Sequence, residues 1–307
     1  IYGSRGANGV VLITTKKGGA GQPAVQYSTN VSSSRAIGRV DMMNAAELRA
    51  AATQFAPGAL AQLGTANTNW QDAVLRNAVG QEHNIAFSGA RDDARYRLSL
   101  NLLDQDGVLQ ATSVQRYGFG FNYGDRLLSD RLDLQLSFKG SRQNDAFTPG
   151  GVLGNSLAMA PTQPIRDGNG AFFNWNRALS PTNPLSDLAL ISGRGNTYRG
   201  LGSLEAKYAL PWVTGLSVTA RTGVDFANSS RTDFTPTNAQ GQQFDPTPGF
   251  FGSNSFTQNN TTLELFGNYT RRIESMKGDL DVTGGYTWEQ QNSRFPGFSA
   301  ESLTTNL

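Results

Sequence analysis

Most of the sequence repeats one pattern, in which apolar and polar residues alternate one by one over short runs. In residues 96–102, Tyr96, Leu98 and Leu100 alternate with Arg97 and Ser99. Because successive side chains of a β-strand point to opposite faces, this pattern predicts a strand with one apolar and one polar face. Similar runs lie at 117–123, 132–139, 204–210, 216–226, 263–269 and 280–288, and weaker ones at 25–31 and 85–87. The alternation predicts roughly nine strands.

Two all-β architectures fit such strands. In a soluble sandwich the apolar faces of two sheets meet, whereas in a transmembrane barrel the apolar face meets lipid. The composition is 38% hydrophobic and 16% charged, with 35 glycines, which is typical of a turn-rich β protein. An apolar run of about 20 residues, as a transmembrane helix requires, is absent from the sequence. A barrel needs no such run, because only every second residue of its strands faces lipid.

The spacing of the strands favours the barrel. The connections at 90–94, 128–131, 211–215 and 275–278 are short, and those at 37–80, 104–115, 144–195 and 228–258 are longer. Outer-membrane barrels have short turns on one side and long loops on the other, whereas a sandwich has no reason to separate loop lengths in this way. Aromatic residues near strand ends are also typical of the belts of such barrels, and here they are Tyr96, Tyr117, Tyr123, Phe138, Tyr208, Phe226, Tyr269, Tyr286 and Trp288.

Residues 1–18 read IYGSRGANGVVLITTKKG, a glycine-punctuated turn that leads into a β-branched strand. This run resembles the closing segment of the plug domain of TonB-dependent outer-membrane transporters, in the form found in the SusC/RagA family. Residues 41–50 are similar to the short helix that follows the first barrel strand in these importers. Asn44 is suited to cap that helix, and Glu47 stands three residues later as in a capping box.

The resemblance implies an all-β fold that is part of a large antiparallel transmembrane barrel, with about 22 strands in the whole protein. Residues 1–19 would be the C-terminal end of the plug, and residues 20–307 the N-terminal part of the barrel, with short helices in the extracellular loops. No signal peptide and no TonB-contacting segment is recognisable in the sequence. We therefore expect the chain to be part of a longer protein.

The same resemblance implies active import across the outer membrane of a Gram-negative bacterium of the Bacteroidetes type. A SusD-like surface lipoprotein would act as a lid, and TonB would supply energy through a segment outside this sequence. The lipid bilayer would surround the wall. Within the family, glycan fragments and oligopeptides are both substrates, and the sequence does not choose between them.

Two groups of residues are candidates for contact with the transported molecule. The alternation places charges of both signs on the face opposite the apolar one, where they would face the lumen: Arg95, Arg97, Asp133, Lys139, Glu205, Lys207, Arg221 and Asp225. In the loop at 167–175, the hairpin signal Asp-Gly-Asn-Gly precedes Phe172, Phe173 and Trp175, which are suited to stack on a sugar or on a peptide side chain. Packing within the long loop is the alternative use of these rings.

The sequence predicts no catalytic, cofactor or metal site, and we do not expect an enzyme. His83 is the only histidine and no G-x-S-x-G motif accompanies it. The turns at 104–107 and 167–170 match part of a calcium loop but lack its downstream glutamate. Cysteine is absent, and a net charge of +2 with scattered basic residues does not predict nucleic-acid binding. A surface barrel or adhesin without active transport, and an outer-membrane hydrolase that uses paired carboxylates, remain alternatives.

Overall fold

The computed structural model describes residues 23–306, which form one antiparallel sheet of ten strands. From β1 to β9 each strand pairs with the next strand along the chain, so the sheet is a meander. This confirms the all-β fold predicted from the alternation. The predicted plug segment, residues 1–19, lies outside the described residues. The strands are Ala24–Ser34 (β1), Ala78–Arg91 (β2), Ala94–Asp106 (β3), Ser113–Leu127 (β4), Leu132–Phe147 (β5), Ser192–Ala209 (β6), Leu216–Thr235 (β7), Phe250–Ile273 (β8), Gly278–Arg294 (β9) and Gly297–Glu301 (β10).

The connections are short at one end of the strands and mostly long at the other end. Tight turns join β2 to β3, β4 to β5, β6 to β7 and β8 to β9, and several use left-handed backbone, as at Asp92 with φ 54° and Lys277 with φ 49°. Gly215, with φ 89°, lies so close to the Thr270 carbonyl oxygen that a side chain there would collide with it. The connections at the opposite end of the strands are 35–77, 107–112, 148–191 and 236–249. This separation is the one predicted from the strand spacing.

The strands extend further toward the long loops than the alternation predicts. β5 continues to Phe147 and β6 begins at Ser192, although the sequence suggested a loop over 144–195. Likewise β7 reaches Thr235 and β8 begins at Phe250, within the region predicted as a loop over 228–258. In these extensions both faces carry polar residues, so the alternation that marks a half-apolar strand disappears although the hydrogen-bonded ladder continues.

β9 and β10 are two parts of one strand line along β8. Arg294 pairs with Thr257 and Gly297 pairs with Asn254, so the register is unchanged across Phe295 and Pro296. Proline has no N–H to donate to the ladder, which interrupts the regular pairing. The Ser255 N–H still donates to the Pro296 carbonyl at 2.9 Å. Counted as one strand, β9 and β10 bring the total to the nine that the sequence predicts.

The pairing register separates the sheet into an apolar and a polar face. Leu98, Phe121 and Phe138 are cross-strand neighbours on one face, whereas Arg97 pairs with Asn122 on the other. We call these the outer face and the inner face. All nine aromatic residues predicted to lie near strand ends are on the outer face.

The apolar band of the outer face has a limited height. On β7 it runs from Leu216 to Phe226, and the next outward positions are Asn228, Ser230 and Thr232. About ten residues at 3.3 Å each, tilted by about 40°, span about 25 Å, which is the height of the apolar band of outer-membrane barrels. The polar extensions of the strands therefore rise beyond the band, toward the long loops.

The long connections 35–77, 148–191 and 236–249 pack on each other, and we call them the loop cap. Its α-helices are Ala45–Phe55 (α1), Trp70–Val74 (α2), Val152–Ala158 (α3) and Pro184–Leu190 (α4), and 3-10 helices cover Pro57–Gln62 and Gln240–Gln242. A further 3-10 turn, Glu274–Met276, joins β8 to β9 at the opposite end of the strands. In the cap Trp70, Val74 and Val152 are 3%, 0% and 1% exposed, so the cap has a core of its own.

Helix α1 begins where the sequence predicts. The Asn44 side chain accepts from the Ala46 and Glu47 N–H groups, and the Glu47 carboxylate accepts from the Asn44 N–H at 2.9 Å. This reciprocal capping box satisfies N–H groups that a helix start leaves without partners. Among residues 23–306, no helix combines the length and the apolarity needed to cross a membrane.

Candidate functional site

The inner face carries all eight charged residues that the sequence predicts to face the lumen. The register places Glu205 opposite Arg221, and Asp133 opposite Lys207, on this same face. The full set is Arg95, Arg97, Asp133, Lys139, Glu205, Lys207, Arg221 and Asp225. The sheet therefore brings them to one surface, and their contact with a lumen or a ligand stays a prediction.

Several of these charges pair across neighbouring strands. Arg221 donates to Glu205 at 2.6 Å and to Glu264 at 2.9 Å, so one guanidinium joins β6, β7 and β8. Arg199 donates to Asp225, with 3.1 Å between Nη2 and Oδ2. These side chains are between 28% and 53% exposed, and ion pairs in such solvated positions contribute little to stability.

Charge is unevenly distributed around the inner face. On β2, β3 and β4 four arginines stand against one glutamate: Arg95, Arg97, Arg116, Arg126 and Glu82. On β7, β8 and β9 three arginines stand against six carboxylates: Arg221, Arg231, Arg272, Asp225, Asp233, Glu264, Asp279, Asp281 and Glu289. The inner face is therefore basic on β2–β4 and acidic on β7–β9. The charged residues predicted from the sequence were of both signs and did not reveal this separation.

An aromatic cleft of about 400 Å³ opens on the inner face near the loop cap, between β5 and the Phe295–Pro296 interruption. Phe256 and Phe295 are stacked with ring centroids 4.7 Å apart, and Phe295 is 75% exposed. Arg231 donates three hydrogen bonds to the Asp233 carboxylate and lies over the Phe147 ring at 4.4 Å. Exposed ring faces beside charged and polar groups are suited to hold a ligand that has an apolar face and polar edges.

The sequence reasoning missed this cleft. Phe256 lies between the inward polar residues Asn254 and Gln258, and Phe147 follows the inward Asp145 by two residues at the end of β5. An aromatic residue at a position where the alternation otherwise places polar residues is the signal that could have revealed Phe147 and Phe256. Phe295 continues the inward positions of Gln291 and Ser293 on β9, but Pro296 ends the alternation directly after it.

The loop aromatics predicted to contact substrate lie in the β5–β6 part of the loop cap. The predicted hairpin turn is present: the Asp167 carboxylate accepts from the Asn169 and Ala171 N–H groups. The Arg166 guanidinium lies over Phe172 at 4.0 Å, and Phe173 meets Trp175 edge to face at 5.3 Å. All three rings are partly exposed. Most of their contacts are within the loop, as in the alternative interpretation of this segment.

Asn183 fixes the loop hairpin to α4. Its amide donates to the Ile165 carbonyl at 2.8 Å and to the Phe173 carbonyl at 3.3 Å, and its oxygen accepts from the Leu185 N–H. The residue is 1% exposed, so these bonds replace water that burial removes. Beside it, burial raises the pKa of Asp187, whose carboxylate accepts from the Thr182 hydroxyl and the Asn155 amide, two bonds that act in the opposite direction.

Known proteins similar to this chain are TonB-dependent receptors. No protein-family model matches the chain. The TonB-dependent receptor SusC of Bacteroides thetaiotaomicron is 29% identical over 97% of the chain, which covers 31% of SusC. The TonB-dependent receptors P3 and P26 of Formosa agariphila are 27% and 30% identical over 100% and 76% of the chain, which covers 31% and 24% of them. The chain thus spans about a third of the length of these relatives or less.

Solved structures of the RagAB peptide importer share the fold. In its closed-closed state the match covers 100% of this chain and 39% of the importer chain, with a TM-score of 0.77 and 19% identity. The open-open state gives the same TM-score over 98% of this chain. Over nearly its whole length the chain is thus similar in sequence to SusC-like TonB-dependent receptors, and its fold matches that of the RagAB importer chain.

Proposed function

We propose that this chain forms part of the barrel wall of an active transporter that imports large nutrients across the outer membrane of a Bacteroidetes-type Gram-negative bacterium. The two-faced meander is the observation that carries the proposal. Its outer face bears an apolar band of the height that a bilayer requires, and its inner face is polar and charged. Short turns at one end of the strands and a folded loop cap at the other end complete the arrangement expected of such a wall.

Residues 1–19 would be the end of the plug domain and residues 20–307 the N-terminal part of the barrel. β1 begins at Ala24, close to the proposed boundary. The strand line of β9 and β10 forms the far edge of the described sheet. Because a spanning sheet cannot leave backbone groups unpaired in lipid, both edges would pair with further wall strands.

Two partners follow from the family. The relatives are named TonB-dependent receptors, which supports energy input through TonB, on a segment outside this chain. RagAB is described as a peptide importer, and SusC-like transporters act with a SusD-like surface lipoprotein, so we expect such a lid over the loop cap. The substrate would be a glycan fragment or an oligopeptide.

The described residues suit three tasks in such transport. The outer band would hold the wall in lipid, the loop cap would shape the entrance, and the inner face would line the route past the plug. The aromatic cleft beside Phe295 lies where the route would begin, and the inward charges at Arg221 and Asp225 lie further along it. Phe172, Phe173 and Trp175 would contact the substrate at the loop hairpin, with the part of each ring that the loop leaves exposed.

The test is uptake by the organism that encodes the chain. The full-length gene is deleted, and uptake of fluorescently labelled oligosaccharides and oligopeptides of defined length is measured with and without the restored gene. We expect restored uptake of at least one substrate class in cells with TonB, and none in cells without TonB. Uptake that is independent of TonB would contradict active import and favour a passive barrel, and unchanged uptake after deletion would favour an adhesin.

A further inference from the structure

A second recess, which we call the basic hollow, lies on the inner face across β3 to β6 and has a volume of about 550 Å³. One row of paired residues crosses it, from Asn101 through Gly118 and Ser141 to Arg199. At Gly118 no side chain fills the row. The nearest atoms to an added Cβ would all belong to Asn101, the closest at 3.4 Å, so a larger residue would project into the hollow.

Three cations surround the hollow. Lys139 lies opposite Gly120 in the adjacent row, Arg199 ends the first row, and Arg116 stands two residues from Gly118 on β4. Lys139 and Arg199 are diagonal neighbours, which are about 7 to 8 Å apart. Arg116 stands opposite Gln143, four residues from Lys139 along β5, so it lies at the other side of the hollow and a ligand between the cations would be reached by long side chains from both sides. Within residues 23–306, Arg116 and Lys139 form no ion pair, and only Arg199 is paired, with Asp225.

The lining of the hollow consists mostly of polar residues and glycines, and Leu201, opposite Lys139, adds an inward apolar side chain. Among the described residues 23–306 no carboxylate lines it, and on the β2 side Glu82 accepts from the Asn101 amide at 3.1 Å. The ring of Phe119 belongs to the outer face and contributes no stacking surface here. The hollow thus differs from the aromatic cleft, because it offers charge and hydrogen-bond donors without an exposed inward ring.

We propose that the basic hollow binds carboxylate groups of the transported molecule, and so gives the route a preference for acidic substrates over neutral ones of the same shape. The inference rests on the proposed function, because it assumes that the inner face lines a transport route. The uncompensated cations would be neutralised by the ligand, and Ser141 and Asn101 would lie beside it. A carboxylate carried by a sugar acid and one carried by an aspartate or glutamate side chain share this chemistry.

The test uses the purified full-length receptor and two matched ligand pairs. Trigalacturonate is compared with its methyl ester, and a short peptide with alternating aspartates is compared with the same peptide carrying asparagines. Within each pair shape is similar and charge differs. We expect the acidic member of at least one pair to bind more tightly by calorimetry, and the pair that shows the preference identifies the carrier. The preference should fall as salt is raised toward 1 M, because the screening length shortens to about 3 Å.

Arg116→Gln with Lys139→Gln removes the two unpaired cations. We expect it to reduce the preference for the acid about 25-fold at low salt, because each charge contributes about fivefold. The matched control, Arg126→Gln with Arg272→Gln, removes the same charge from inner-face positions near the short turns, outside the hollow, and should leave the preference nearly unchanged. Gly118→Val should weaken binding of the acidic ligand, because the added side chain projects into the hollow although every cation is kept.

Three results would overturn the proposal. The first is equal binding, or no binding, of the acidic and neutral members of both pairs. The second is a control that loses as much preference as the hollow variant, and the third is a Gly118→Val variant with unchanged affinity for the acidic ligand. The proposed transport function would survive any of these results if TonB-dependent uptake is restored by the full-length gene, so the two tests fail separately.

Discussion

The loop cap and the barrel wall are stabilised in different ways. In the cap, side chains far apart in sequence bury each other: the Trp70 indole donates to the Ala160 carbonyl at 3.0 Å, and Gln163 donates to the Gln62 carbonyl at 2.9 Å. In the wall, every residue of β1 is exposed, and neighbouring strands are joined by backbone ladders. The cap is organised as a small globular unit, whereas the wall needs lipid on one face and further strands at its edges.

This difference predicts that damage stays in the region where it is made. A cavity in the cap should loosen the entrance without opening the wall, and a charge on the outer face of the wall should impair insertion without unfolding the cap. Each variant is compared with a second variant whose substituted residue lies in a different environment. All use the full-length receptor.

The largest effect is expected from Trp70→Ala. The side chain is 3% exposed and fills the space between α2 and the segment after α3, so its loss should destabilise the cap by about 3 to 5 kcal/mol. Limited proteolysis should cut residues 148–191 faster, while the heat-dependent gel shift of the folded barrel stays unchanged. Trp212→Ala is the control, because Trp212 is 74% exposed in the β6–β7 turn. Equal proteolysis of both variants would show that the cap has no core of its own.

The next effect distinguishes the two faces of the wall. Leu204→Arg places a charge in the apolar band of the outer face and should destabilise the folded barrel in lipid by about 2 to 4 kcal/mol. Ser203→Arg places the same charge on the adjacent residue, which faces inward opposite Ser137 and Gly223, and should have little effect. Folding into vesicles, followed by urea denaturation, measures both. Similar losses for the two variants would contradict the assignment of the faces.

The wall could be predicted from the sequence and the cap could not, for a physical reason. Alternation along one strand decides which face meets lipid, so the inward position of Glu205 beside the outward Leu204 follows from local sequence. The capping box at Asn44 and Glu47 is local too, and it was predicted. The role of Asn183 depends on Ile165 and Phe173, residues that the fold brings to it, and no local pattern reveals it.

The candidate site shows the same division. Parity placed the charged residues on one face, but the separation of basic and acidic ends depends on the register across eight strands. The aromatic cleft depends on Phe256 meeting Phe295 across the β8 ladder, close to a proline. Phe172, Phe173 and Trp175 drew attention in the sequence because they follow a hairpin signal closely, yet Phe172 packs against Arg166 and Phe173 against Trp175, all within the same loop.

A smaller effect should appear as a pH dependence of the cap alone. Burial raises the pKa of Asp187 above the ordinary 3.8. A carboxyl group with a raised pKa in the folded state holds its proton better there than in the unfolded chain. Stability therefore falls as pH rises from 3.8 to the raised pKa, by at most about 1.4 kcal/mol per pH unit, and the loss levels off above it. Proteolysis of residues 148–191 across this range measures the slope.

Asp187→Asn should flatten that slope, because the amide does not titrate and still offers an oxygen to the Thr182 hydroxyl. Asp167→Asn is the control, since Asp167 is exposed at the loop hairpin and its oxygen accepts only backbone N–H groups there. The two variants would be expected to differ in slope. A wild-type slope in Asp187→Asn would show that other groups cause the pH dependence.

The smallest effect is expected where the contacts look most elaborate. Arg221 joins three wall strands through Glu205 and Glu264, but its side chain is 46% exposed, and solvated ion pairs contribute less than about 1 kcal/mol. Arg221→Gln should therefore change the urea midpoint of the vesicle-inserted barrel far less than Leu204→Arg does, although Leu204 forms no ion pair. If Arg221→Gln were the more damaging variant, the inner face would have to be desolvated by protein outside residues 23–306, because only then does the removal of one partner of an ion pair cost several kcal/mol. The ratio of the stability loss of Arg221→Gln to that of Leu204→Arg thus measures how far the inner face is exposed to water in the assembled receptor.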